Sequence, residues 1–140
     1  ELISAFGSIA NGGRLMRPYV NAASSPHAVR EVMKKETAVA VTAMMESAVN
    51  KAAVASLPKH RIAGKTGTAE IADLQRGGYR EAFNHTYVGF GPVSNPRFVA
   101  LLKLEEPEAI LAGATVVPAF RELASFIISY YNIPPDKNIE

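Results

Sequence analysis

One stretch, Arg61-Ile62-Ala63-Gly64-Lys65-Thr66-Gly67-Thr68-Ala69-Glu70-Ile71, constrains the fold of this chain more than any other. Its ends read as a β-strand, while its middle carries two glycines, a lysine and two threonines. Glycine weakens a strand interior and marks places where a ligand or a second backbone comes close. Strand alternation puts Lys65 and Gly67 on one face and Thr66 and Thr68 on the other. One ligand can use both rows if it lies along the strand's edge and takes main-chain hydrogen bonds, as an added strand does. Lys65 then offers a cation, Thr66 and Thr68 offer hydroxyls, and Gly67 leaves the approach clear. That donor set suits a peptide ending in a carboxylate. Two plainer readings compete: a chance tripeptide with a bulge at either glycine, and the tail of a phosphate-binding loop. The loop motif needs a glycine five residues before Gly64, where this chain has Lys59, so the phosphate reading fails.

Length allows one domain at most, over residues 1–140. Apolar content of 48% and charged content of 20% are those of an ordinary folded chain. The formal charge is only +2 and no Lys/Arg stripe is present, which argues against nucleic acid as a partner. No cysteine is present, so disulfides and thiolate metal sites are excluded. His27, His60 and His85 share no ligand spacing, so no metal and no other cofactor is expected. No apolar run approaches the ~20 residues of a membrane span, and nothing resembles a signal peptide. An export signal or anchor would lie outside these residues. The first helix starts at the chain's beginning without a lead-in, which suggests a piece of a longer protein.

In chain order, Leu2, Ile3, Phe6, Ile9 and Ala10 share a helical face, ended by Asn11-Gly12-Gly13. Arg17-Pro18-Tyr19 reads as extended, and residues 22–27 as loop. A second helix is predicted over Thr37 to Ala52, with Val41, Met44, Met45, Ala48, Val49 and Ala52 as its core stripe. After the strand through Ile71 comes a polar loop carrying Asp73, Arg80 and Glu81. Thr86 to Phe90 and Arg97 to Leu104 read as strands joined by a turn at 92–96. Phe98 to Leu102 is apolar at every position, so both faces want cover. A third helix is predicted from Val117 to Tyr131, with Phe120, Leu123, Ala124, Ile127, Ile128 and Tyr131 inward. The expected fold is α+β: an antiparallel sheet of about three strands packed by helices. Ser56-Leu57-Pro58-Lys59 imitates a Ser-x-x-Lys nucleophile motif, but the strand begins too soon afterwards for the helix start such a pair requires.

With these residues in view, the chain resembles the penicillin-binding proteins and serine β-lactamases, whose third signature is Lys-Thr-Gly. It is most similar to class B penicillin-binding proteins, the cell-wall transpeptidases of division and elongation. The similarity rests on LISAFGSIANGGRLMRP (2–18), AGKTGTAE (63–70), YVGFGPVSNP (87–96), VPAF (117–120) and IPPD (133–136). The departures are as informative. The family's Ser-x-x-Lys lies far upstream of Lys-Thr-Gly, and no Ser-x-Asn occurs; Tyr19-Val20-Asn21 and Tyr130-Tyr131-Asn132 stand in the wrong places for its tyrosine variant. The glycine-rich step usual before the central strand is replaced by Asn50-Lys51-Ala52-Ala53.

The resemblance implies the C-terminal portion of a transpeptidase domain, contributing three strands of a five-stranded sheet. Its partner would be the nucleophile-bearing N-terminal part of the same domain. It implies a serine-type peptidoglycan D,D-transpeptidase on the outer side of the cytoplasmic membrane. That enzyme would act on D-Ala-D-Ala stem peptides and be acylated by β-lactams, and this fragment alone would be inactive. Lys65 would adjoin the nucleophile's network, and Thr66 and Thr68 would bind the substrate carboxylate. Gly67 would keep the edge clear, and the Thr68 N–H would serve the oxyanion. A non-catalytic module binding peptide carboxyl ends is the alternative. The uncovered strand 98–104 implies a homodimer or aggregation through its edge.

Overall fold

The computed structural model describes residues 1–137 and pairs the three expected strands into one antiparallel sheet. The elements run α1 (Leu2–Ala10), β1 (Arg14–Met16), β2 (Ala28–Glu31), α2 (Lys35–Ala52), β3 (Ala63–Ala72), β4 (Tyr79–Gly91), β5 (Phe98–Glu105), a 3-10 turn (Ala112–Ala114) and α3 (Val116–Tyr130). The larger sheet has the order β3-β4-β5, so the glycine-containing strand lies at an edge. Register opposes Gly64 to Gly89, Thr66 to Tyr87 and Thr68 to His85, and then Tyr87 to Leu102.

Opposed residues in an antiparallel pair share a face, which assigns the helices to the sheet's two sides. Tyr87, Ala100 and Leu102 pack with Val116, Val117, Phe120, Ala124 and Ile128 of α3. On the other face, Ala63, Phe90 and Val99 pack with Phe6, Ile9 and Ala10 of α1 and with Val41 and Met45 of α2. Phe90 and Phe120 are fully buried, each contributing about 1.5–3 kcal/mol of apolar transfer.

Several expectations need correction. The segment after α1 forms a second, two-stranded sheet of β1 and β2, where only an extended stretch and a loop were expected. All four residues of β2 are exposed, so no alternation of apolar and polar side chains announces it. Helix α2 starts at Lys35, earlier than Thr37. Only one of its paired methionines is core: Met45 is buried, whereas Met44, one residue and about 100° around the helix, is 70% exposed. Helix α3 ends at Tyr130, one residue before the expected Tyr131, and both Leu123 and Tyr131 face solvent instead of the core. Arg80 and Glu81 belong to β4, not to the loop, and Arg80 Nη2 donates to Glu106 at 2.6 Å on the surface.

Candidate functional site

Strand β3 changes character along its length. Ala63 and Gly64 are buried, whereas Lys65, Thr66 and Thr68 are exposed and Gly67 is half-buried. The exposed half therefore presents a cation, two hydroxyls and an unpaired backbone edge. Lys65 Nζ donates to the Thr66 carbonyl at 2.7 Å. This bond joins neighbouring residues at the surface, so an incoming acceptor can replace it.

Two glycines are required here by close approach. A Cβ on Gly64 would stand 2.0 Å from Tyr87 Oη, and one on Gly67 would stand 2.4 Å from Thr86 Oγ1. The Tyr87 ring fills the space beneath Gly64 and leans on Phe120, ring centroids 4.6 Å apart. Burial pushes the Tyr87 phenol well above its ordinary range, and its hydroxyl has no partner among the described residues. It is a neutral spacer under the strand.

The start of β3 is anchored from three directions. Arg61 donates to both Glu46 carboxylate oxygens at 2.7 Å, tying it to α2. The Asp136 carboxylate accepts from the Arg61 N–H at 2.7 Å and from the Ser94 N–H at 3.2 Å. His60 Nε2 lies 3.1 Å from the Ile133 carbonyl. The Ile133–Asp136 tail thus clamps the entry to the site strand, a function its sequence did not disclose.

Residues 53–60 decide the status of Ser56. Helix α2 ends at Ala52 and is capped by Ala53, which takes a left-handed backbone with φ 60. The Ser56 N–H donates to the Ala53 carbonyl at 3.0 Å, in a turn. Ser56 and Lys59 lie on no helix, so they do not form the one-turn pair that a Ser-x-x-Lys nucleophile requires.

One site neighbour was missed. His85 is fully buried beside Thr68 on β4. Its Nδ1 is 2.9 Å from Thr115 Oγ1 and its Nε2 is 3.0 Å from the Ile110 carbonyl. The same segment sends the Ala112 N–H to Thr68 Oγ1 at 3.4 Å. These partners lie 25 and 30 residues downstream of His85, beyond any local pattern.

A groove of about 710 Å³ lies between α1, α2 and the 93–99 segment, and none of residues 64–68 lines it. Among the described residues no group of three or more His, Cys, Asp or Glu could hold a metal ion. Nor is any helix there long and apolar enough to cross a membrane.

Lys-Thr-Gly lies on an exposed edge strand of an antiparallel sheet, with α3 packed on one face, as the resemblance to penicillin-binding proteins implies. The family model for the penicillin binding protein transpeptidase domain matches residues 1–125, and the chain belongs to that family. A probable peptidoglycan D,D-transpeptidase, PbpC of Pseudomonas aeruginosa, is 30% identical over 97% of this chain and 25% of its own length. Peptidoglycan D,D-transpeptidase FtsI of Buchnera aphidicola is 31% identical over 76% of this chain and 19% of its own length. The apo transpeptidase domain of Burkholderia pseudomallei penicillin-binding protein 3 superposes with a TM-score of 0.82 at 30% identity. That match covers 98% of this chain and 43% of the solved one. The chain thus spans a quarter or less of these two curated relatives.

Proposed function

We propose that residues 1–140 are the C-terminal portion of the transpeptidase domain of a class B penicillin-binding protein. The full-length protein would be a serine-type peptidoglycan D,D-transpeptidase. Its serine attacks the carbonyl between the last two D-alanines of a stem peptide, forming an ester and releasing the terminal D-alanine. An amine of a neighbouring stem then displaces the serine, making the cross-link amide. β-Lactams enter by the same route and remain as the acyl group. Covalent catalysis of this kind divides one hard acyl transfer into two easier ones.

In this reading Lys65 adjoins the serine's hydrogen-bond network and adds positive charge. Thr66 and Thr68 hold the terminal carboxylate, Gly67 leaves room for the peptide, and the Thr68 N–H is one oxyanion donor. The observation that carries the proposal is the exposure of Lys65, Thr66 and Thr68 on an unpaired strand edge. The serine belongs to sequence outside these residues, which the turn geometry of Ser56 supports. Two further parts of the proposal are an extracytoplasmic location with an anchor elsewhere in the protein, and self-association of the isolated chain through β5.

Labelling with a fluorescent penicillin tests it. The full-length protein takes a covalent, SDS-resistant label, and the 140-residue chain takes none. Label on the isolated chain would make Ser56 the nucleophile and refute this division of the site.

A further inference from the structure

We propose that His85 is a positioning residue for the carboxylate-binding end of the site, acting through the segment Ile110–Thr115 upon Thr68; the proposal rests on the carboxylate-binding function inferred above for Thr68. A carbonyl can only accept, so Nε2 of His85 carries a proton and donates it to the Ile110 carbonyl. Thr115 Oγ1 has one hydrogen and two acceptors in reach, Nδ1 at 2.9 Å and the Ala112 carbonyl at 3.4 Å, and in the Nε2–H tautomer it donates to the nearer of them, Nδ1. One side chain, with no exposed surface, therefore holds both ends of the six residues 110–115. Within that bracket the Ala112 N–H points at Thr68 Oγ1.

That last contact has a chemical consequence. A hydroxyl donates one hydrogen and accepts through its lone pairs. With the Ala112 N–H directed at its oxygen, the Thr68 hydroxyl keeps its own proton free for an outside acceptor such as a carboxylate. At 3.4 Å the contact is long, as hydrogen bonds in unliganded sites often are before they tighten on a bound ligand. His85 touches no substrate. It fixes which way Thr68 donates, and Thr115 is the other half of the clamp.

The test uses two variants and two independent readouts. Thr115→Val keeps the side-chain volume and deletes the hydroxyl. His85→Gln keeps a donor for the Ile110 carbonyl and loses the ring's second contact. In the first readout, on the full-length protein with nitrogen-15 in its histidines and alanines, long-range proton–nitrogen NMR should show His85 as the Nε2–H tautomer. Amide exchange at Ala112 should accelerate at least about tenfold in Thr115→Val, since it loses one side-chain tether. In the second, stopped-flow acylation of the full-length protein by a penicillin separates reversible binding from the covalent step. Thr115→Val should weaken reversible binding about fivefold to tenfold, the worth of one hydrogen bond, with the acylation rate constant within about twofold. His85→Gln should fall between wild type and Thr115→Val.

The Nδ1–H tautomer, unchanged exchange at Ala112, or unchanged penicillin binding in Thr115→Val would each overturn the proposal. So would equal losses in binding and acylation, the mark of a merely loosened fold. If Thr68→Val itself leaves penicillin binding intact, the assignment of Thr68 fails instead, while the tautomer and exchange results still report on the clamp.

Discussion

The two edges of the main sheet have opposite chemistry. Along β3 the exposed residues are Lys65, Thr66, Thr68, Ala69, Glu70 and Ala72, so the strand meets solvent with four polar side chains and two methyl groups. Along β5, Phe98 to Leu102 are half-buried and apolar, and only Lys103, Leu104 and Glu105 stand clear. Both edges carry backbone groups that a further strand could pair with, and such edges are ordinarily protected in folded proteins. The contrast suggests separate uses. A polar edge interleaved with glycine accepts a short ligand strand and can release it. An apolar edge is suited to lasting burial against more polypeptide.

The sharpest way to break this comparison is to remove the cation from the polar edge. Lys65→Ala in the full-length protein should lower the rate of penicillin acylation by at least about 100-fold, the scale of a lost group in a proton-transfer network. Its melting temperature should barely change, since Lys65 bonds only a neighbouring carbonyl. Gly64→Ala acts where β3 passes from buried to exposed. Its new methyl would overlap the Tyr87 hydroxyl at 2.0 Å, an overpacked site that costs about 1–3 kcal/mol. Chemical denaturation would record that loss.

At the apolar edge the expected effect is weaker. The isolated chain should self-associate through Phe98–Leu104, as an increase in scattering mass with concentration. A clean monomer at high concentration would remove the distinction between the edges. The smallest effect lies in the β3–β4 connection. The Asp73 carboxylate accepts from the Arg76 and Gln75 N–H groups, which hold it below its usual range. A depressed carboxylate stabilises the fold above its unfolded-state value and loses that contribution as pH falls through its folded value. Asp73→Asn should therefore melt slightly lower than wild type at pH 7, and the gap should close in acid.

What the sequence disclosed follows from how local each feature is. Helices α2 and α3 and strand β5 were readable because their apolar spacing repeats within a few residues. Strand β3 was readable because its residues are chemically unusual. Strand β2 was not, because Ala28–Glu31 buries nothing and leaves no pattern. Met44 was misjudged because periodicity locates a stripe but not its margins. His85 and the Ile133–Asp136 tail were opaque for a different reason. Their partners, at Thr115, Ile110, His60 and Arg61, are brought to them only by the fold. The candidate site was thus legible as a strand, while the scaffold that aims it was not.

The most direct measurement is a crystal structure of the full-length protein with a peptide ending in D-Ala-D-Ala. The account predicts the peptide lying antiparallel or parallel to β3, its terminal carboxylate within hydrogen-bond reach of the Thr66 and Thr68 hydroxyls. A β3 edge covered by another strand of the same protein, with the peptide bound elsewhere, would contradict it.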